Sequence, residues 1–95
     1  MLSLSAKVRE IKGKKVKSLL REGKVPAVLY GPTIKNLNLE IEEKEVEKVL
    51  KKMKEGSSIN LKVDGKEFLV SIKEIQRDQI KGKIIHIDFY KPKSK

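Results

Sequence analysis

The sequence predicts a mainly β domain of the α+β class, in which a six-stranded, antiparallel-rich, barrel-like sheet carries two or three short helices. Six segments alternate apolar and polar residues or form short apolar runs, as is typical of strands. Two segments have apolar residues at helical spacing instead. An Asp-Gly pair between two alternating segments indicates a β-hairpin. A twisted sheet capped by helices buries all of these apolar faces.

The first third of the chain predicts a strand followed by a short helix. Apolar and polar residues alternate over residues 2–9, which predicts a half-buried strand with Lys7 and Arg9 on its outer face. From about residue 15 to residue 22 the apolar residues follow helical spacing, and Gly23 suits the position just after a helix. This helix is short, so we expect it to depend on tertiary contacts.

The middle of the chain predicts two strands and a longer helix. The apolar run over residues 25–30 predicts a buried strand, and the alternation over residues 37–41 predicts another. Residues 43–54 carry an apolar stripe, with acidic residues early and lysines late, which suits the helix dipole. We expect Gly56 to end this helix.

A hairpin and a final strand complete the prediction. A two-residue turn at Asp64-Gly65 sets a register of cross-strand pairs on one apolar face: Leu61 with Phe68, and Ile59 with Val70. In the last strand the core face is formed by Ile85, Ile87 and Phe89, so the outer face carries His86, Asp88 and Tyr90. We expect residues 1–90 to form one domain, and the basic tail 91–95 to be disordered.

Composition narrows the possible functions. The chain has 95 residues, no cysteine and 23 basic against 13 acidic residues, a net charge of +10. Absence of cysteine excludes disulfides, thiolate metal sites and cysteine nucleophiles. No apolar run is long enough to span a membrane, and the first residues lack the pattern of a signal peptide. The sequence therefore favours a cytoplasmic protein. We expect no membrane, cofactor or small-molecule substrate as a partner, and we expect the free protein to be a monomer.

The charge excess is uneven and indicates a polyanionic partner. Residues 1–35 have a net charge of +7, residues 36–56 of −1 and residues 57–95 of +4. Nucleic acid is the commonest partner of such a basic domain, and an anionic membrane surface is the alternative. Thermal adaptation explains a high content of charged residues, but not an excess of one sign. Contact with RNA is expected chiefly in the N-terminal third.

The pair His86 and Asp88 allows three interpretations. Such a pair can orient an imidazole as a general base, but the chain has no cysteine and no serine in an elbow motif to act as nucleophile. A single histidine also falls short of a zinc site. A structural hydrogen bond and an RNA contact remain, and the basic domain favours the RNA contact. Few aromatic residues are present, so structured RNA is a better target than single strands.

Several segments form a specific combination in a fixed order: Arg9, Gly13-Lys14, residues 19–31 (LLREGKVPAVLYG), Asp64-Gly65-Lys66 and residues 86–89 (HIDF). Together they resemble the bacterial ribosomal protein L25 family, which includes general stress protein Ctc. The resemblance covers essentially the whole chain, which we expect to be a short single-domain form. It implies a structural component of the large ribosomal subunit that binds the loop E region of 5S rRNA through a six-stranded barrel.

The resemblance also implies the RNA-binding residues. Arg9 and Lys14 would hold phosphates, whereas Tyr30, His86 and Asp88 would hydrogen-bond bases or sugars in a widened minor groove. Asp88 would accept hydrogen bonds from base amino groups, since a carboxylate near RNA is otherwise repelled.

One position departs from the family pattern, and one alternative function stays open. The family often has arginine at the position of Leu20, so Arg21 is the residue expected to supply that contact. The alternative to a ribosomal protein is a general stress-type RNA-binding protein or RNA chaperone without a fixed ribosomal site.

Overall fold

Eight elements account for most of the chain. The computed structural model describes residues 2–8, 16–53 and 58–93, without the side chains of residues 16 and 17. In chain order the elements are β1 (Ser3–Val8), α1 (Val16–Arg21), β2 (Lys24–Gly31), β3 (Ile34–Glu42), α2 (Glu43–Lys52), β4 (Ser58–Val63), β5 (Lys66–Arg77) and β6 (Ile84–Tyr90).

The six strands close into a barrel in the order β1-β3-β2-β6-β5-β4. Four neighbouring pairs are antiparallel, and two, β1–β4 and β2–β6, are parallel. Because the barrel is closed, each of these six strands has a paired neighbour on both sides, which protects edges that could otherwise cause aggregation. The predicted fold class is confirmed, although the two parallel pairings join segments too far apart in the chain for local patterns to indicate them.

Alternating side chains of all six strands fill the barrel. Helix α2 adds Val46 and Val49 to this core, and α1 packs against β2. No polar or charged residue of the described ranges is buried. The largest fully buried side chains are Val25, Leu29, Leu39, Ile41, Val46, Ile59, Leu61, Val70, Ile84, Ile87 and Phe89.

The predicted hairpin register is confirmed. Leu61 lies opposite Phe68 and Ile59 lies opposite Val70. Asp64 and Gly65 have φ angles of 47° and 83°, the left-handed pair that a tight two-residue hairpin turn requires. Phe68 is only partly buried, however, because it packs at the margin of the core.

The helix ends differ in how well the sequence predicted them. Gly23 follows α1 with φ 79°, and its N–H donates to the Leu20 carbonyl, which confirms its role after the helix. In contrast, α2 ends at Lys52 because Met53 adopts an extended conformation with ψ 145°. The expectation that this helix continues to residue 54 was wrong, and Gly56 lies outside the described residues.

Bulges change which residues face the core in β5 and β6. Ile84, rather than Ile85, is fully buried. Gln76 pairs with His86 and Arg77 pairs with Ile84, so Ile85 is the extra residue of a bulge between these two pairs. The prediction for Ile85 was therefore wrong by one position, whereas Ile87 and Phe89 are buried as expected.

Both ends of the described chain depart from the simplest prediction. Val8 is 38% exposed rather than buried, so alternation fails in the last residue of β1. Lys91, expected to begin the disordered tail, donates its main-chain N–H to the Tyr30 carbonyl. This contact brings the Lys91 carbonyl so close to Gly31 that an added Cβ would overlap it, so residue 31 must be glycine in this arrangement.

Within the described residues, no helix has the length and apolar character needed to cross a membrane.

The core assignment predicts a large difference between two leucines of one hairpin. Leu61→Ala should lower the free energy of unfolding by about 2–5 kcal/mol, because it leaves a cavity in the barrel. Leu69→Ala should cost less than about 1 kcal/mol, since Leu69 is 50% exposed. Urea unfolding followed by circular dichroism measures both, and equal losses would contradict the assignment.

Candidate nucleic-acid interface

Strands β2, β6 and β5 are neighbours in the barrel and share a solvent-facing surface. In the parallel pairing, Val28 lies opposite Asp88 and Tyr30 opposite Tyr90. Because residues opposite each other point to the same side of a sheet, side chains distant in sequence meet here. We call this surface the polar face, and it comprises Val28, Tyr30, Glu74, Gln76, His86, Asp88 and Tyr90.

His86 and Asp88 form a hydrogen-bonded pair at the centre of the polar face. His86 Nε2 lies 2.7 Å from Asp88 Oδ1. The two side chains are 28% and 29% exposed, so a ligand can reach them. Neither side chain has another hydrogen bond to the described residues, so each retains a ring nitrogen or a carboxylate oxygen for a partner. The sequence correctly predicted that both face away from the core.

Two tyrosines extend the polar face along β2 and β6. The rings of Tyr30 and Tyr90 meet edge to face, with centroids 5.6 Å apart and planes at 65°. Lys73 places its Nζ 5.5 Å from the centroid of the Tyr90 ring. These contacts orient Tyr30, a predicted RNA-binding residue, and add a cation that the sequence analysis did not single out.

Glu74 and Gln76 lie on the polar face because of a bulge in β5. Lys73 is the extra residue between the pairs Ile72–Phe89 and Glu74–Asp88, and it reverses the direction of the side chains that follow. The Gln76 amide donates to Glu74 Oε2 at 2.9 Å. Simple alternation from Val70 places these two polar residues inside the barrel, so the sequence pattern did not indicate them.

Two basic residues near the end of α1 differ in their availability. Lys24 Nζ lies 3.2 Å from Glu40 Oε2 and 3.9 Å from Glu22 Oε1. The hydrogen bond to Glu40 and the charges of nearby glutamates raise the pKa of Lys24. Arg21 is exposed and makes no ion pair with a described residue. Arg21, rather than Lys24, is therefore the cation of this region that can contact a ligand.

The predicted phosphate contacts Arg9 and Lys14 lie outside the described residues. The structure brings His86 and Asp88 together in direct contact, with Tyr30 on the same face. Among the described residues, no three His, Asp or Glu side chains are grouped closely enough to hold a metal ion.

The arrangement suits the reading of base edges in RNA. Carboxylate and amide groups occupy the centre of the polar face, and the available cations Arg21 and Lys73 lie around it. Carboxylates repel phosphates but accept hydrogen bonds from base amino groups and 2′-hydroxyls. A ligand that presents donors between two phosphate backbones therefore matches this pattern.

Comparisons with known proteins find a matching family model and several curated relatives. The family model described as the Ribosomal L25p family matches residues 4–89. "Large ribosomal subunit protein bL25" of Thermotoga petrophila is 39% identical over 99 aligned positions, covering 97% of this chain and 46% of the relative. The protein of the same name from Geobacillus thermodenitrificans is 39% identical, covering 85% and 40%. The one from Caldicellulosiruptor saccharolyticus is 45% identical, covering 75% and 35%. The chain thus spans less than half the length of these curated relatives.

The exposure of the His86–Asp88 pair predicts that it contributes little to stability. His86→Ala should lower the free energy of unfolding by less than about 1 kcal/mol, because a partly exposed pair leaves no buried group without a partner. The neighbouring Ile87→Ala should cost about 2–5 kcal/mol, since Ile87 is fully buried. Chemical unfolding of both variants measures the difference. A loss of 2–3 kcal/mol for His86→Ala would instead indicate a structural pair.

Proposed function

The chain belongs to the Ribosomal L25p family, and on that premise we propose that it is a structural, non-catalytic component of the large ribosomal subunit that binds 5S rRNA. The polar face meets base edges and sugars, and the surrounding cations hold the phosphate backbones. The proposed target within 5S rRNA is the loop E region, which the family resemblance implies. Such a protein acts in the cytoplasm, as part of the ribosome.

The observation that carries this proposal is the central His86–Asp88 pair on a protein of net charge +10. General attraction to RNA needs cations alone, and a carboxylate weakens it. Asp88 lies opposite Glu74, so two carboxylates face the same ligand. Their repulsion of phosphates is offset only where RNA donors are positioned to meet them, which gives selectivity for one RNA structure.

The proposed roles follow from the position of each residue. Asp88 accepts hydrogen bonds from base amino groups, while His86 contacts a base or a ribose through its second ring nitrogen. Tyr30 contributes its hydroxyl to the same groove, held in orientation by the ring of Tyr90. Arg21 contacts phosphate. Arg9 and Lys14 are proposed phosphate contacts on the family resemblance alone.

Binding to 5S rRNA should depend strongly on salt. If about 5–8 phosphates are neutralised, log K should fall with log of the salt concentration at a slope of several units. Fluorescence anisotropy with labelled 5S rRNA at several salt concentrations measures the slope. Co-sedimentation with large subunits at moderate salt then separates a fixed ribosomal site from a free RNA-binding role. A slope near zero would contradict an interface held by phosphate contacts.

Removing the Asp88 carboxylate should reduce the selectivity for 5S rRNA over other RNA. Asp88→Ala should weaken binding to 5S rRNA by about 1–3 kcal/mol through the loss of base contacts. Binding to an unrelated duplex should be unchanged or tighter, because one negative charge is removed. The matched control is Glu45→Ala, which removes a carboxylate from the exposed surface of α2. It should leave the ratio of the two affinities unchanged, and an unchanged ratio for Asp88→Ala would exclude Asp88 from base recognition.

A further inference from the structure

An open groove of about 1070 Å³ runs beside the His86–Asp88 pair, between the end of α1 and the turn that joins β5 to β6. Its lining includes Arg21 at the end of α1, and Lys81 and Lys83 of the β5–β6 turn. His86 and Gln76 line the same groove, so it is continuous with the polar face. A ligand on the polar face therefore reaches the β5–β6 turn without crossing a barrier.

The β5–β6 turn, residues 78–83, is held in a defined shape by its own hydrogen bonds. Asp78 Oδ1 accepts the main-chain N–H groups of Ile80 at 2.8 Å and Lys81 at 3.0 Å. These bonds hold the pKa of the Asp78 carboxyl below its usual value, that of Lys81 having the larger effect. The Gly82 N–H also donates to the Asp78 carbonyl at 2.8 Å. Little ordering is therefore required when a ligand binds here.

The charges of the groove favour a polyanion. Its lining contains four cations and two carboxylates, a net charge of +2: Arg21, Lys24, Lys81 and Lys83 against Glu43 and Asp78. Lys81 and Lys83 make no ion pair with the described residues, in contrast to Lys24. The Asp78 carboxylate accepts hydrogen bonds from main-chain N–H groups of its own turn, so these groups already compensate its negative charge.

We propose that this groove holds one sugar–phosphate strand of the bound RNA, contacted by Arg21 from the end of α1 and by Lys81 and Lys83 from the β5–β6 turn. The proposal rests on the proposed function and extends it to a turn outside the polar face. Ile80, at 94% exposed, is the apolar tip of the same turn and packs against a ribose. A protein partner would need a larger apolar surface than this single side chain provides.

The test compares two pairs of lysines in binding to 5S rRNA. Lys81→Ala with Lys83→Ala should make the salt slope shallower by about 1 for each lysine, as expected for lost phosphate contacts. The ratio of affinities for 5S rRNA and an unrelated duplex should stay nearly constant. The control, Lys44→Ala with Lys51→Ala, removes the same charge from exposed positions of α2 and should change the slope much less.

A second variant tests the apolar contact independently. Ile80→Ala should weaken binding to 5S rRNA about fourfold, because the lost contact area corresponds to roughly one buried methylene group. The salt slope should stay unchanged, because no charge is removed. Thermal unfolding should be unaltered for all of these variants, because the side chains are exposed.

The outcomes that overturn the proposal are distinct. If the double variants of the turn and of α2 have the same salt slope, their lysines contribute only general electrostatic attraction, and the proposed groove contact is overturned. Normal binding by the turn variants, with selectivity still lost in Asp88→Ala, would overturn this proposal and leave the proposed function standing. An Ile80→Ala defect seen with whole subunits but not with 5S rRNA would overturn the proposed contact between Ile80 and a ribose of 5S rRNA, because the tip would then contact another component of the subunit. Failure of the unaltered protein to bind 5S rRNA would overturn both proposals.

Discussion

The parallel pairing of β2 with β6 is the constraint on which the rest of the structure depends. It joins two segments that are distant in the sequence, residues 24–31 and 84–90, and with the second parallel pair, β1–β4, it closes the barrel. Its register sets Tyr30 beside Tyr90 and Val28 beside Asp88. A shift of one residue would turn Ile87 and Phe89 outward, so the buried core itself maintains the register. The polar face is thus a consequence of how the core is packed.

Two bulges determine which side chains of β5 and β6 face outward. The extra residue Lys73 turns Glu74 and Gln76 outward beside the His86–Asp88 pair. The extra residue in β6 lets Ile84 return to the core next to the exposed turn. The outer surface of β2, β6 and β5 therefore combines acceptors, aromatic rings and nearby cations. Some acidic groups outside this surface form ion pairs within the protein, as in the Lys24–Glu40 and Arg77–Glu47 pairs.

Local patterns in the sequence were sufficient for much of the fold and for the centre of the site. Asp64-Gly65 predicted the hairpin register, and alternation around Ile87 predicted that His86 and Asp88 share an outer face. The resemblance to the L25 family, confirmed by the match over residues 4–89, is the source of the proposed RNA target, which no residue pattern indicates. The outward position of Gln76 was not predictable, because one bulge residue reverses the alternation. The groove beside α1 depends on a long-range parallel pairing that leaves no local signal.

The central claim is that RNA binds the outer surface of β2, β6 and β5. The most direct measurement is two-dimensional NMR of the isotope-labelled protein, titrated with an RNA fragment that contains loop E of 5S rRNA. If RNA binds this surface, chemical-shift changes should cluster at Tyr30, His86 and Asp88 and continue into residues 78–83, while the exposed surface of α2 should change little. Changes centred on α2, or on the β1–β4 side of the barrel, would contradict it.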